Sequence, residues 1–150
     1  MYPFKTIIVG TDLGPSSERA LDMAISLALV HDAELILVHA FTGRVAVYPI
    51  PVAPPIEDVA AGLERTMEEM LEEVRRRLPR ARGEVRHGEP HTEILAAAVE
   101  HHADLVVVGT HGHHGLMHLL RGSEAERVVR ACHVPVLTMY SGPDAEAVAA

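Results

Sequence analysis

Tryptophan is absent, and aromatic residues make up only 3% of the 150-residue chain. A stacking platform for single-stranded nucleic acid needs aromatic faces, so that class is disfavoured. Positive charge is scarce as well: 13 Lys and Arg stand against 21 Asp and Glu, a formal charge of −8 with histidine neutral. An acidic chain without a basic tract is a poor reader of a phosphate backbone. It can still hold a small anion locally, because that needs only a few backbone N–H groups. The single cysteine, Cys132, excludes an internal disulfide and fits a reducing compartment. No apolar stretch approaches the ~20 residues of a membrane span, and the opening MYPFKTIIVG does not fit a signal peptide of normal length. A cytoplasmic protein is expected, without nucleic-acid or membrane partners.

What is present is globular: 48% hydrophobic and 23% charged residues, enough for one domain with a sizeable core. One domain is expected over residues 1–140, with a frayed tail over 141–150. Five short apolar or β-branched runs stand out, at Lys5–Val9, Glu34–Ala40, Gly83–His87, Asp104–Gly109 and Pro135–Tyr140. TIIVG, LILVH and LVVVG are nearly continuous in apolar residues, as strands covered on both faces are. The run GEVRHG is short and polar, as an edge strand is.

Helical periodicity fills the gaps. Ser16 or Ser17 is a candidate cap for a helix reaching His31. A second helix is expected from Ile56 to Leu78, stopped by Pro79, with Glu72–Arg76 and Glu73–Arg77 as i,i+4 pairs. Two shorter helices cover His91–His101 and Ser123–Ala131. Strict alternation of strand and helix argues for an open α/β sheet with right-handed crossovers. The connection Phe41–Glu57 carries four prolines and much apolar bulk. It reads either as a loop packed over the sheet end or as a flap over a ligand or a subunit contact.

Two segments can carry chemistry. Val9-Gly10-Thr11-Asp12-Leu13-Gly14-Pro15-Ser16-Ser17 leaves the first strand and opens the first helix, at the carboxyl edge where open α/β sheets bind ligands. Asp12 is placed to reach a ribose hydroxyl or a metal-bound water; the same residue type also makes turns and helps to cap helices. The second segment, Gly109 to Ser123, is glycine-rich and ends in Gly122-Ser123 at a helix start, where free N–H groups suit a phosphate. As a rival, it is a long turn with a Gly-Ser cap. It contains neither a Gly-Lys-Ser/Thr P-loop nor G-x-G-x-x-G.

The spacing Gly109-x2-Gly112-x9-Gly122-Ser123 resembles the ATP-binding signature of the universal stress protein family, G-x2-G-x9-G-(S/T). The opening IIVGTDLGPSSERAL, the runs LILVHA and ADLVVVGTHG and the ending VVRACHVPVLTM resemble that family too, from about Phe4 to Tyr140. The resemblance implies a five-stranded parallel sheet in the order 3-2-1-4-5 with helices on both faces, Rossmann-like and of the adenine-nucleotide alpha-hydrolase-like kind. That order puts the two segments on opposite sides of one crevice. It also implies ATP, with or without Mg2+, as the ligand of a stress-response regulator or sensor. Gly10, Thr11 and Asp12 would line the adenosine side and Ala40 would meet adenine through its backbone. Gly109, His111, Gly112, Gly122, Ser123 and Glu124 would wrap the ribose and phosphates. Gly10 and Glu124 depart from the family's pattern; Glu124 brings negative charge near phosphate, harmless if exposed and weakening if turned inward.

Family members commonly pair through the last strand, so a homodimer through Pro135–Tyr140 is implied, with an unknown protein as a further partner. That strand, PVLTMY, is apolar and carries no charge to guard its edge. Two other classes compete. One is a slow ATP hydrolase or phosphotransferase, with His111, Arg121 and Asp12 as candidates but no dedicated base. The other is a metal-binding module on the cluster His111, His113, His114 and His118, where no nearby Cys or carboxylate completes a ligand set. His87, His91, His101 and His102 read as surface, and Cys132 as a packing residue.

Overall fold

The computed structural model describes residues 2–43, 54–110 and 124–140. Most of the Phe41–Glu57 connection, the histidine cluster and the 141–150 tail lie outside the described residues. The chain order is β1 (Thr6–Gly10), a 3-10 turn (Pro15–Ser17), α1 (Glu18–His31), β2 (Glu34–Phe41), α2 (Ile56–Arg75), β3 (Arg82–His87), α3 (Pro90–Glu100), β4 (Leu105–Gly109), α4 (Glu124–Ala131) and β5 (Val136–Met139). The five strands pair in parallel in the order β3-β2-β1-β4-β5.

The apolar runs are continuous because the central strands bury both faces. Ile7, Val9, Leu35 and Leu37 point to one side, where Ala20, Ala24 and Ala28 of α1 and Met67, Leu71 and Val74 of α2 cover them. Ile8, Ile36, Val38 and Val106 point to the other, against Ile94, Ala97 and Ala98 of α3 and Val128 of α4. Side chains alternate along a strand, so one sequence run feeds both cores. The α1 stripe is mostly alanine, which lets that helix lie close on the sheet.

Local details depart from expectation in three places. Neither Ser16 nor Ser17 caps α1 through its side chain. A 3-10 turn intervenes, and the buried Ser17 hydroxyl is bonded to the preceding loop instead. Helix α2 ends at Arg75 rather than Leu78; its last residues relax into a turn with the Leu78 N–H on the Val74 carbonyl at 2.9 Å. Pro79 has no N–H to offer the Arg75 carbonyl, so the helical ladder cannot run on past Leu78. On the wet face of α2, Arg76 pairs with Glu73 at 2.9 Å, not with Glu72.

Candidate functional site

Strand β1 pairs with β2 on one side and β4 on the other, so the chain leaves the carboxyl edge in opposite directions from the two sides of this point. Such divergence opens a crevice. Among the described residues a cavity of about 260 Å3 lies there, walled by Val38, Ile94, Val108, Ala125 and Val128. Thr11, Asp12, Ser16, Ser17, His39 and Glu124 contribute its polar groups. Apolar walls with a few converging polar groups are the usual make-up of a small-molecule site.

The loop after β1 is built by its own side chains. The Thr11 N–H continues the ladder onto the Val38 carbonyl at 2.9 Å. Leu13 then adopts φ 62°, a left-handed conformation rare for a bulky residue. Its N–H donates to Thr11 Oγ1 at 3.0 Å, which helps hold that geometry. The Asp12 carboxylate accepts the Gly14 N–H at 2.8 Å, the Ser17 hydroxyl at 2.8 Å and the Ser16 hydroxyl. Asp12 therefore does make the turn that its residue type allows, and it also lines the cavity. The Thr11 carbonyl accepts only, so His39 Nδ1, 2.8 Å away, carries the proton.

Gly10 faces the opposite helix. A methyl group at that position would stand 2.8 Å from Ile94 Cδ1 and 3.3 Å from Val108 Cγ1. The bare backbone thus lets α3 close against the carboxyl end of β1.

Glu124 is neither fully exposed nor free in the crevice. One carboxylate oxygen accepts the backbone N–H of His91 at 2.7 Å and the ring Nδ1–H of His91 at 2.8 Å; the other takes Arg127 at 3.2 Å. His91, expected on the surface, is consequently only about one quarter exposed. His101 departs in the same way, with Nε2 on Glu84 at 2.6 Å. Cys132 is half-buried and packs on the α3/α4 core.

Six of the ten residues expected at the site, Gly10, Thr11, Asp12, Ala40, Gly109 and Glu124, converge on the one cavity. His111, Gly112, Gly122 and Ser123 lie outside the described residues. Sequence reading missed His39, Pro90 and Ile94 as lining residues. His39 was within reach, since it stands beside Ala40 at the end of a recognisable strand. Pro90 and Ile94 needed the packing of α3 across Gly10, which no motif announces. Among the described residues no group of three or more His, Cys, Asp or Glu could hold a metal, and no helix is long and apolar enough to cross a membrane.

A 3-2-1-4-5 parallel sheet covered by helices, with its crevice at the switch point, defines a Rossmann-like α/β protein. The chain belongs to the universal stress protein family, whose sequence model matches residues 3–139. Universal stress protein MJ0531 of Methanocaldococcus jannaschii is 33% identical, over 91% of this chain and 82% of that protein. A universal stress protein solved in complex with cAMP superposes with a TM-score of 0.70 at 27% identity, covering 94% of this chain and 100% of that one. Universal stress protein UspA from Lactobacillus plantarum, 23% identical, shares the fold with a TM-score of 0.76 over 93% of this chain and 99% of its own.

Proposed function

We propose that the protein binds an adenine nucleotide, ATP by its glycine motif, in the crevice between β1 and β4. It acts as a cytoplasmic, homodimeric regulator whose nucleotide occupancy changes partner binding. The observation that carries this reading is the cavity itself, which gathers Gly10, Thr11, Asp12, Ala40, Gly109 and Glu124 from β1 and the loop after it, β2, β4 and α4. Its volume of about 260 Å3 is near the lower end of small-ligand sites, which suits the nucleoside part of a nucleotide. Apolar walls would take the adenine. The Asp12 carboxylate, already fixed by three donors of its own loop, is oriented before a ribose hydroxyl arrives, which lowers the ordering cost of binding. Support for the ligand class comes from the family and from its member solved with cAMP. The phosphates would follow Gly112, Gly122 and Ser123, and Mg2+, if it accompanies them, would offset part of their negative charge.

The test is to denature the purified protein and identify what it releases, then to titrate ATP calorimetrically. An adenine nucleotide in the supernatant and loss of ATP binding in a folded Gly122→Val variant are expected. Unchanged ATP affinity in that variant would sink the phosphate assignment. Single-turnover measurements separate regulator from enzyme: retention of intact ATP for many minutes is the expected result.

A further inference from the structure

The first N–H of α3 already has an anion. Pro90 opens that helix without an N–H of its own, so the His91 N–H is the first donor, and the N-cap residue Glu89 makes no side-chain cap bond. Glu124 supplies the missing acceptor from the neighbouring helix, at 2.7 Å from the backbone and 2.8 Å from the ring of the same residue. A carboxylate only accepts, so the ring proton sits on Nδ1 and both bonds must break together if Glu124 is to turn away. The positive end of α3, which a ligand phosphate could otherwise use, is occupied by the protein's own charge.

Among the described residues that line the cavity there are two carboxylates, Asp12 and Glu124, and neither Lys nor Arg. Asp12 is surrounded by hydroxyl and N–H donors from its own loop. Arg127 touches Glu124, but in an exposed pair, both side chains being more than 40% accessible, where compensation is weak.

The geometry points to Glu124, docked on α3 through His91, as a phosphate-charge selector that shifts the site toward nucleotides with few negative charges and away from the triphosphate. This deepens the nucleotide reading and rests on it. The uncharged nucleoside feels the carboxylate least, and each added phosphate feels it more within a Debye length of roughly 10 Å.

The experiment compares adenosine, AMP, ADP and ATP on the wild type, Glu124→Gln and Glu124→Ala, by calorimetry without added divalent metal. Adenosine serves as the uncharged reference, and two substitutions of different size keep the test open if one fails to fold. The ratio of ATP to adenosine affinity should rise roughly three- to tenfold on removal of the charge, with a smaller rise at high salt. If the wild type binds adenosine and ATP but the folded variants leave that ratio unchanged or lower it, the selector is overturned and nucleotide binding stands. If the wild type binds neither, the nucleotide reading itself fails and the selector falls with it.

Discussion

Asp12 shows how one side chain serves a turn and a crevice together. Its position after a buried run and before a helix was legible, and so was the choice between turn-maker and ligand residue. The bond set was not, because it depends on Leu13 entering the left-handed region, and nothing in a leucine announces that. Replacing Asp12 with Ala strips acceptors from the Gly14 N–H and from the Ser16 and Ser17 hydroxyls. The expected cost is about 1–3 kcal/mol, read as a lower urea midpoint at unchanged slope. Asp12→Asn keeps one carbonyl oxygen for the Gly14 N–H and should lose less. Equal stability of wild type and Asp12→Ala would show that the loop holds its shape without the carboxylate.

At the scale of elements, the edge character of β3 was readable from its polarity, and pairing on one side only agrees with it. What the sequence hid is how that edge is fastened. Arg86 reaches from β3 to Glu84 on its own strand and to Glu93 and Glu100 on α3, each at 2.9 Å. Glu93 and Glu100 are seven residues apart and share a helix face, but that spacing is common on wet helix faces and names no partner. The Arg86 side chain is only 18% exposed, and its pKa is driven above an already high value, first by the hydrogen bond to Glu100. It stays charged at any working pH. Arg86→Ala would leave three carboxylates crowded together, at a cost of roughly 1–2 kcal/mol. Glu100 is held below the ordinary carboxylate value, chiefly by the same hydrogen bond to Arg86. Its contribution to stability is therefore fully present above the usual carboxylate range, near pH ~4.3, and is lost as pH falls through the lowered folded value. The stability gap between wild type and Glu100→Gln should be open at neutral pH and close in acid. Denaturation curves across that range check it, and a gap that widens as pH falls contradicts the sign.

For the whole molecule, the strand order was not derivable from periodicity. Alternation gave the open parallel sheet; the order 3-2-1-4-5 was implied by family resemblance, and the pairing agrees with it. That order leaves β5 as the second edge. The apolar side chains of β5 already pack inward, each partly buried: Leu137 and Met139 on the α1/α2 core and Val136 on the α3/α4 core. Placing Lys at Val136 would damage packing as well as any interface. What β5 offers is its backbone edge. The Val106 N–H bonds the Pro135 carbonyl at 3.0 Å and the Thr110 N–H bonds the Met139 carbonyl at 2.9 Å, so residues 135 and 139 turn their carbonyls to β4. Alternation then turns the backbone groups of Val136 and Thr138 outward. Proline is tolerated on an edge strand where its missing N–H faces away from the ladder. Thr138 is exposed and meets this condition, so Thr138→Pro removes an outward donor while sparing the bonds to β4. If the proposed homodimer forms by strand addition at this edge, sedimentation at micromolar concentration should find a dimer for the wild type and a folded monomer for Thr138→Pro. A wild type that sediments as a monomer, or a Thr138→Pro protein that stays dimeric, places the contact elsewhere or removes it.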